Sequence, residues 1–234
     1  MHPSHRRTGL ISVVLAVLAA CGPARADDPK DEKAVKTFVN SREGLTGERA
    51  THYVDFSFDY PADWKVKRET GNRDRNFVTV ERIDTSDYGT FTQEQFNVGT
   101  FRLKSKANVA LIDPRPDAAK KKIRDESIAQ LKKQLAPGFP GATFTREGLT
   151  TLGDLSGYEL RFAGAYPQKL KGQDFKYWGR MVLIPNPDGS ENGLAMFMLG
   201  TVAAPELKQE KDLGTKGELP IILASFKLGK PKKQ

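Results

Sequence analysis

The sequence predicts an α+β fold in which a mostly antiparallel β-sheet is flanked by helices. Apolar and polar residues alternate in several consecutive segments, which is typical of half-buried strands. An amphipathic helical segment, 118–135, lies between two groups of these strands, and a second helical segment, 218–228, closes the pattern. Because the strands occur in runs and do not alternate with helices, an antiparallel sheet is favoured over a parallel one.

The segment 53–60 gives the clearest strand. Its large apolar residues occupy every second position, so one face is expected in the core and the other in water; these residues are Val54, Phe56, Phe58 and Tyr60. Pro61 is expected to end the strand, and Trp64 to return a large ring to the same core.

Two further strands are predicted over 76–83 and 95–103, with turn residues at 84–89 between them. The apolar residues of 95–103 change face midway, from the pair Phe96 and Val98 to the pair Phe101 and Leu103. A β-bulge at Gly99 would let both pairs point into one core.

The segment 118–135 is predicted to be a helix that begins after an N-cap at Asp117 and ends before Pro137. One side carries apolar residues near helical spacing: Ala119, Ile123, Ile128, Leu131 and Leu135. The other side is basic, and we call it the lysine face; its residues are Lys120, Lys121, Lys122, Arg124, Lys132 and Lys133.

The second half of the chain predicts four strands and a terminal helix. The strands are expected over 142–146, 155–163, 175–184 and 194–202, and the helix, with Pro220 in its first turn, over 218–228. The long apolar runs 175–184 and 194–202 are typical of central strands that are covered on both faces.

The N-terminus has the three parts of an export signal. Arg6 and Arg7 precede an apolar run over 10–20, which is too short to span a bilayer as a helix, and small residues follow. Leu18-Ala19-Ala20-Cys21 resembles a bacterial lipobox, so residues 1–20 are expected to be removed and Cys21 to become a lipidated first residue. Acyl chains at this position would form a membrane anchor.

A second cleavage site competes with the lipobox. Ala24-Arg25-Ala26 fits an ordinary signal peptidase, which would release a periplasmic or secreted chain beginning at Asp27. Cys21 is the only cysteine in the chain, so no disulfide is expected in the folded domain.

Composition divides what remains into a tether, one domain and a tail. Residues 21–50 carry few large apolar side chains and are predicted to be a tether. Residues 51–229 are expected to form one globular domain, and 230–234 a basic tail. The formal net charge is +8, which would suit anionic partners, but export and the absence of any nucleic-acid-binding sequence module argue against nucleic acid.

Few residues in the sequence point to catalysis. His2 and His5 leave with the signal, so His52 is the one histidine of the mature chain, and no G-x-S-x-G motif accompanies it. Carboxylates cluster at Glu81, Asp84 and Asp87, and again at Asp188 and Glu191, but without the spacing of a calcium loop. We therefore expect no catalytic residue, metal site or cofactor, with Cys21 as the one functional site.

Several segments resemble the PsbP-like group, which includes the extrinsic PsbP protein of photosystem II, its bacterial relatives and the Ran-binding Mog protein. The resemblance runs from about Val54 to Leu228 and rests on Tyr60-Pro61-x-x-Trp64, Gly157-Tyr158 and Ala224-Ser225-Phe226. It implies an αβα sandwich with a binding or accessory role. No ligand-binding residue of the group can be matched to a position in this sequence.

Together these features predict a membrane-anchored, noncatalytic lipoprotein of the cell envelope, whose partner is an envelope protein met by the lysine face. Two alternatives remain open. A secreted or periplasmic hydrolase would show two carboxylates of raised pKa facing across a cleft. A small-ligand carrier would show a continuous apolar cavity.

Overall fold

The computed structural model of the protein describes residues 33–69, 76–86, 89–186 and 191–229. Ten strands and four α-helices lie within these residues. The strands are β1 (Val35–Val39), β2 (Phe56–Pro61), β3 (Lys65–Arg68), β4 (Asn76–Ser86), β5 (Gly89–Arg102), β6 (Thr143–Leu152), β7 (Leu155–Leu170), β8 (Gln173–Pro185), β9 (Asn192–Thr201) and β10 (Lys227–Leu228). The helices are α1 (Gly47–Thr51), α2 (Ser105–Ile112), α3 (Ala118–Leu135) and α4 (Leu219–Ser225), and short 3₁₀ turns occupy Ala136–Gly138 and Glu210–Asp212.

The strands form two antiparallel sheets. The larger sheet has seven strands in the order β3-β4-β5-β9-β8-β7-β6, and the smaller has three in the order β1-β2-β10. Every neighbouring pair in both sheets is antiparallel. The α+β fold class predicted from the sequence is therefore confirmed.

The large sheet has a core on each face. On one face it packs against the small sheet and α4, and the buried residues there include Phe56, Phe58, Phe96, Leu219 and Ile222. On the other face α2 and α3 contribute Leu111 and Ile128, which pack on Phe101, Leu160 and Leu183. Burial on both sides makes the large sheet the middle layer of the molecule.

The prediction that the two long apolar segments form central strands is confirmed. β9 is the fourth of the seven strands and β8 the fifth. Along β8, Trp178 and Val182 belong to the core under the small sheet, whereas Met181 and Leu183 belong to the core under the helices. The near-continuous hydrophobicity of this segment follows from that double burial.

The predicted bulge at Gly99 is wrong. β5 pairs with β9 in unbroken register from Glu94 to Arg102, straight across Gly99. Phe96 faces the core under the small sheet and Phe101 the core under the helices, so the change of phase needs no correction. An extra residue does occur next to this position, but on β4, where Phe77 lies between the two pairings that place Asn76 and Val78 opposite β5.

The segment 33–50, predicted to be part of the tether, belongs to the folded domain. β1 pairs with β2 and brings Phe38 opposite Phe58. Phe38, Leu45 and Arg49 are all buried. The apolar residues of this segment are sparse, but Phe38 and Leu45 reach the core, and average composition therefore gave the wrong prediction for it.

The predicted helix 118–135 is confirmed as α3, and the Asp117 side chain caps it by accepting a hydrogen bond from the backbone N–H of Lys120. The predicted terminal helix 218–228 is shorter, because α4 ends at Ser225 and the chain then forms β10. The signal 1–20, the tether residues 21–32 and the tail 230–234 lie outside the described residues. No helix in the described part of the chain has the length and hydropathy to cross a membrane.

Candidate functional site

Two buried carboxylates, Glu94 and Glu218, meet at the guanidinium of Arg82. Arg82 and Glu94 lie directly opposite each other on β4 and β5. Arg82 Nη1 is 2.7 Å from Glu218 Oε1 and 3.5 Å from Glu94 Oε2. The arginine therefore links the large sheet to the residue that precedes α4.

Further donors complete this cluster. The backbone N–H groups of Glu218 and Leu219 donate to the Glu94 carboxylate, with shortest distances of 3.0 and 3.4 Å. Glu218 in turn accepts a 2.7 Å bond from Trp64 Nε1 and pairs with the ammonium of Lys33. Glu94 thus satisfies N–H groups at the start of α4 that the helix itself leaves without acceptors.

The two carboxylates have opposite pKa shifts. Burial raises the pKa of Glu94, and its hydrogen bonds and the charge of Arg82 offset that only in part. Burial also acts to raise the pKa of Glu218, but the hydrogen bonds from Lys33 and Trp64 and the charge of Arg82 outweigh it, so this pKa is lowered. Glu94 has no exposed surface. The cluster clamps α4 onto the sheet.

A second charged cluster lies across β6, β7 and β8. Arg146 is opposite Arg161, and Arg161 is opposite Arg180, so the three arginines form a row on neighbouring strands. Glu159, two residues from Arg161 on β7, lies among them. We call these four residues the arginine row.

Glu159 forms ion pairs with all three arginines, and those with Arg161 and Arg180 are also hydrogen bonds. Its carboxylate lies 2.6 Å from Arg180 Nε, 2.8 Å from Arg161 Nε and 3.7 Å from Arg146 Nε. Burial acts to raise the pKa of Glu159, but the hydrogen bond from Arg161 and the charge of Arg180 lower it further than burial raises it. The pKa of Arg180 is lowered by burial and by the nearby charges of Arg161 and Arg146, although Glu159 opposes this.

The sequence did not predict either cluster. Glu159 and Arg161 alternate with Tyr158, Leu160 and Phe162, a pattern typical of a strand with one wet face. Glu159 is only 3% exposed, however, because the arginines around it cover it. Alternation in one strand gives no information about charges contributed by its neighbours.

The lysine face predicted on α3 is partly engaged in ion pairs. Lys120 Nζ lies 2.7 Å from Asp113, and Lys132 Nζ lies 2.5 Å from Glu147. Lys122 lies 4.0 Å from Glu126 one turn further along the helix. Lys121 and Lys133 are exposed.

A groove runs beside this face, between α3, the start of α2 and the end of β5. Its volume is 880 Å³, and the charged residues that line it are Arg102, Lys104, Lys106, Glu126 and Glu191. At its inner end a cavity of 90 Å³ reaches the apolar side chains Phe101, Ile128, Leu131 and Leu183. We call the two together the α3 groove; the sequence did not predict it because it did not predict α2.

His52 lines a separate cavity of 280 Å³, together with Tyr53, Val54, Ile184 and Leu228 among others. The neighbouring Tyr53 hydroxyl lies 2.7 Å from Asp55 Oδ1, and burial together with Asp55 raises its pKa to about 12. Tyr53 therefore stays protonated and serves as a hydrogen-bond donor here.

The acidic clusters seen in the sequence are not assembled as sites. Glu81 and Asp84 are three residues apart on β4, so their side chains point to opposite faces of the sheet. Glu191 pairs with Arg102 at 2.9 Å. Asp87, Asp188 and the predicted lipidation site Cys21 lie outside the described residues. Within the described ranges, no three His, Cys, Asp or Glu residues are grouped so as to hold a metal ion.

Comparison with known proteins shows similarity only to solved structures, and at a low level. No protein-family model matches the chain, and no curated protein matches it. Among solved structures it is similar to the solution structure of cyanobacterial PsbP (CyanoP) from Synechocystis sp. PCC 6803, with 10% sequence identity and a TM-score of 0.43. The match covers 89% of this chain and 100% of that one. We assign no residue and no activity from this similarity.

Proposed function

We propose that this chain is a noncatalytic binding or accessory domain of the bacterial cell envelope, anchored to a membrane by a lipid on Cys21. The observation that carries the proposal is the α3 groove, an open concave surface with an apolar inner end and a charged rim. Protein interfaces commonly combine an apolar centre with a polar rim. The partner is therefore taken to be a protein of the extracytoplasmic side.

The charges around the groove indicate the chemistry of that partner. Lys104 and Lys106 are exposed on its rim, and Lys122 of the lysine face lies 4.0 Å from Glu126, which lines it. The groove and the lysine face thus form one continuous surface with an excess of cations. An acidic segment with a few apolar side chains would complement it.

The hydrolase alternative has less support. A catalytic pair of this kind faces across an open cleft, with one carboxyl group of raised pKa and one ionised carboxylate. Glu94 and Glu218 differ in pKa in that sense, but Glu94 has no exposed surface, Arg82 lies between the two, and each already accepts hydrogen bonds from the protein. The carrier alternative would use the cavity beside His52, whose 280 Å³ falls just below the usual range of small-molecule sites.

The partner surface can be tested by neutralising Lys106, Lys121 and Lys122 together as glutamines. Lys120 is kept, because it pairs with Asp113 next to the start of α3. A purified chain carrying a photo-cross-linker at Gln130, in the groove, is incubated with envelope extracts, and the amount of its main cross-linked adduct is measured. We expect the triple variant to reduce this amount by about tenfold, because each rim charge contributes up to about 1 kcal/mol.

A matched control carries the same three-charge change at the exposed residues Lys65, Lys176 and Lys208, which lie on other elements. This control should retain the adduct, and raising the salt concentration should weaken binding of the unchanged chain. Equal cross-linking by the two triple variants would contradict the proposed surface.

The anchor is tested separately by the mass of the mature N-terminus. We expect a chain that begins at Cys21 and carries acyl groups, and a Cys21→Ser variant that loses them and leaves the detergent phase on partitioning. An unmodified chain that begins at Asp27 would show that the A-x-A site is used and that there is no lipid anchor.

A further inference from the structure

We propose that the arginine row is a binding site for a phosphate monoester group. Arg146, Arg161 and Arg180 supply its cations, and Glu159 holds them in place. The row lies on β6, β7 and β8, whereas the α3 groove is built by α2, α3 and β5. The proposal is therefore independent of the proposed function, and either can fail alone.

The arginine row carries more positive than negative charge. In the described part of the chain, Glu159 is the only carboxylate within 4.0 Å of any of the three guanidiniums. Arginine stays protonated in proteins, so one negative charge meets three positive ones and two positive charges are left. A phosphate monoester carries a charge of about −1.5 to −2 at neutral pH and would neutralise them.

Several N–H groups of the three arginines have no acceptor among the described residues. Each guanidinium has five N–H groups. Glu159 accepts from Nε of Arg180 and from Nε and Nη2 of Arg161. No acceptor among the described residues is bonded to either Nη of Arg180, to Nη1 of Arg161 or to any nitrogen of Arg146. Arginine forks match the oxygens of a phosphate in paired hydrogen bonds.

Packing holds two of the three arginine side chains in position before any ligand binds. The side chains of Arg161 and Arg180 are only 13% and 10% exposed, so packing limits their movement. Arg180 Nη1 would lie 3.3 Å from a Cβ at Gly214, whose φ of +79° favours glycine, so the loop passes close to this guanidinium. Arg146, 69% exposed, lies at the rim where a ligand would enter.

There is also room for the ligand beside Glu159. On β6 the residue opposite Glu159 is Gly148, and a Cβ placed there would meet no atom within 4 Å. Neighbouring strands lie about 4.8 Å apart, so Arg146 and Arg180 are about 10 Å apart along the row. Their long side chains can converge on one phosphate from the two sides of Arg161.

The shared chemistry of a phosphate monoester has two sources, a free phosphorylated molecule and the headgroup of phosphatidic acid. The probes are inorganic phosphate and dihexanoyl phosphatidic acid below its micelle concentration, with dihexanoyl phosphatidylcholine, a phosphodiester, as the reference. Binding to the full chain is measured by calorimetry at constant ionic strength. We expect inorganic phosphate, phosphatidic acid or both to bind, and phosphatidylcholine not to bind.

The variant that tests the site is Arg146→Gln, because this side chain is exposed and its loss should leave the fold intact. We expect it to weaken phosphate monoester binding by about tenfold, which corresponds to about 1.4 kcal/mol. Arg146→Lys should recover part of this loss, because it keeps the charge but not the paired hydrogen bonds. The control Arg115→Gln removes an exposed arginine between α2 and α3, outside both the arginine row and the α3 groove, and should bind like the unchanged chain.

The binding measurements distinguish between the possible outcomes. Binding of inorganic phosphate or phosphatidic acid that weakens in Arg146→Gln and not in Arg115→Gln supports the site, and the probe that binds more tightly identifies the source. Binding that is equal in both variants would place the anion elsewhere and overturn the proposal. The absence of binding by both inorganic phosphate and phosphatidic acid would overturn it as well.

Discussion

At the scale of single residues, the buried carboxylates of this protein act by organising cations and N–H groups. Glu94 holds the start of α4, and Glu159 holds three arginines. Their pKa shifts have opposite signs because Glu159 receives charged hydrogen bonds from two guanidiniums, whereas Glu94 receives mostly neutral backbone donors. Burial alone would raise both pKa values.

Glu159→Gln is expected to lower the free energy of unfolding by about 3 kcal/mol at pH 7, because it leaves partly buried guanidiniums without a carboxylate. The folded-state pKa of Glu159 is lowered from its ordinary 4.5. Its contribution is therefore complete above that pH and is lost as the pH falls through the lower, folded-state value. Urea unfolding at pH 7 and about pH 3 should show the difference between variant and unchanged chain shrinking in acid.

The exposed Glu43→Gln is the control for this experiment, with an expected change within about 0.5 kcal/mol. A Glu159→Gln chain as stable as the unchanged chain at pH 7 would mean that the arginine row does not depend on this carboxylate.

Residue roles were the least predictable part of the molecule. The Asp117 cap could be predicted because it acts within three residues of its own position. Arg82 and Glu218 are far apart in sequence, as are Arg146 and Arg180, and only strand order brings them together. The sequence shows which residues are charged, but not which strands become neighbours.

At the scale of elements, alternation and apolar runs predicted most strands correctly. The exceptions have different causes, and one of them is that a sheet with a core on each face does not follow the rule that one face is wet. β5 therefore needed no bulge at Gly99, and β1 was missed because its one buried side chain, Phe38, gives no repeat. α2 was missed in the same way, since eight residues contain little more than two helical turns.

The assignment of β1 to the domain can be tested with a pair of neighbouring substitutions. Phe38→Ala should lower the free energy of unfolding by about 3 kcal/mol, because the ring stacks on Phe58 with centroids 5.2 Å apart and is buried. Val39→Ala should cost less than about 1 kcal/mol, because this side chain is 45% exposed. Chemical unfolding measures both values, and a tether would give nearly no change for either.

At the scale of the whole molecule, the sandwich depends on its last element. α4 places Leu219 and Ile222 in the core, and Phe226 follows with its ring 5.7 Å from that of Phe56. β10 then pairs with β2 on the side opposite β1. The small sheet is thus completed by segments from both ends of the described chain.

Truncation at two points should separate this role from that of the basic tail. A chain that ends at Gly229 should keep a cooperative thermal transition, because α4 and β10 remain. A chain that ends at Gly217 removes Leu219, Ile222 and Phe226 and should lose that transition, because Phe56, Phe58 and Phe96 become exposed to water. Circular dichroism during heating measures both, and cooperative melting of the shorter chain would contradict this dependence.

The strand order β1-β2-β10 also determines when a newly made chain can complete its small sheet. The middle strand β2 is made before its second neighbour β10, whose residues 227–228 follow every other strand of the described fold. Until β10 is made, β2 lacks one of its two neighbouring strands, and the sandwich is incomplete. A polypeptide with this topology therefore keeps its small sheet incomplete until all the other strands of the described fold have been made.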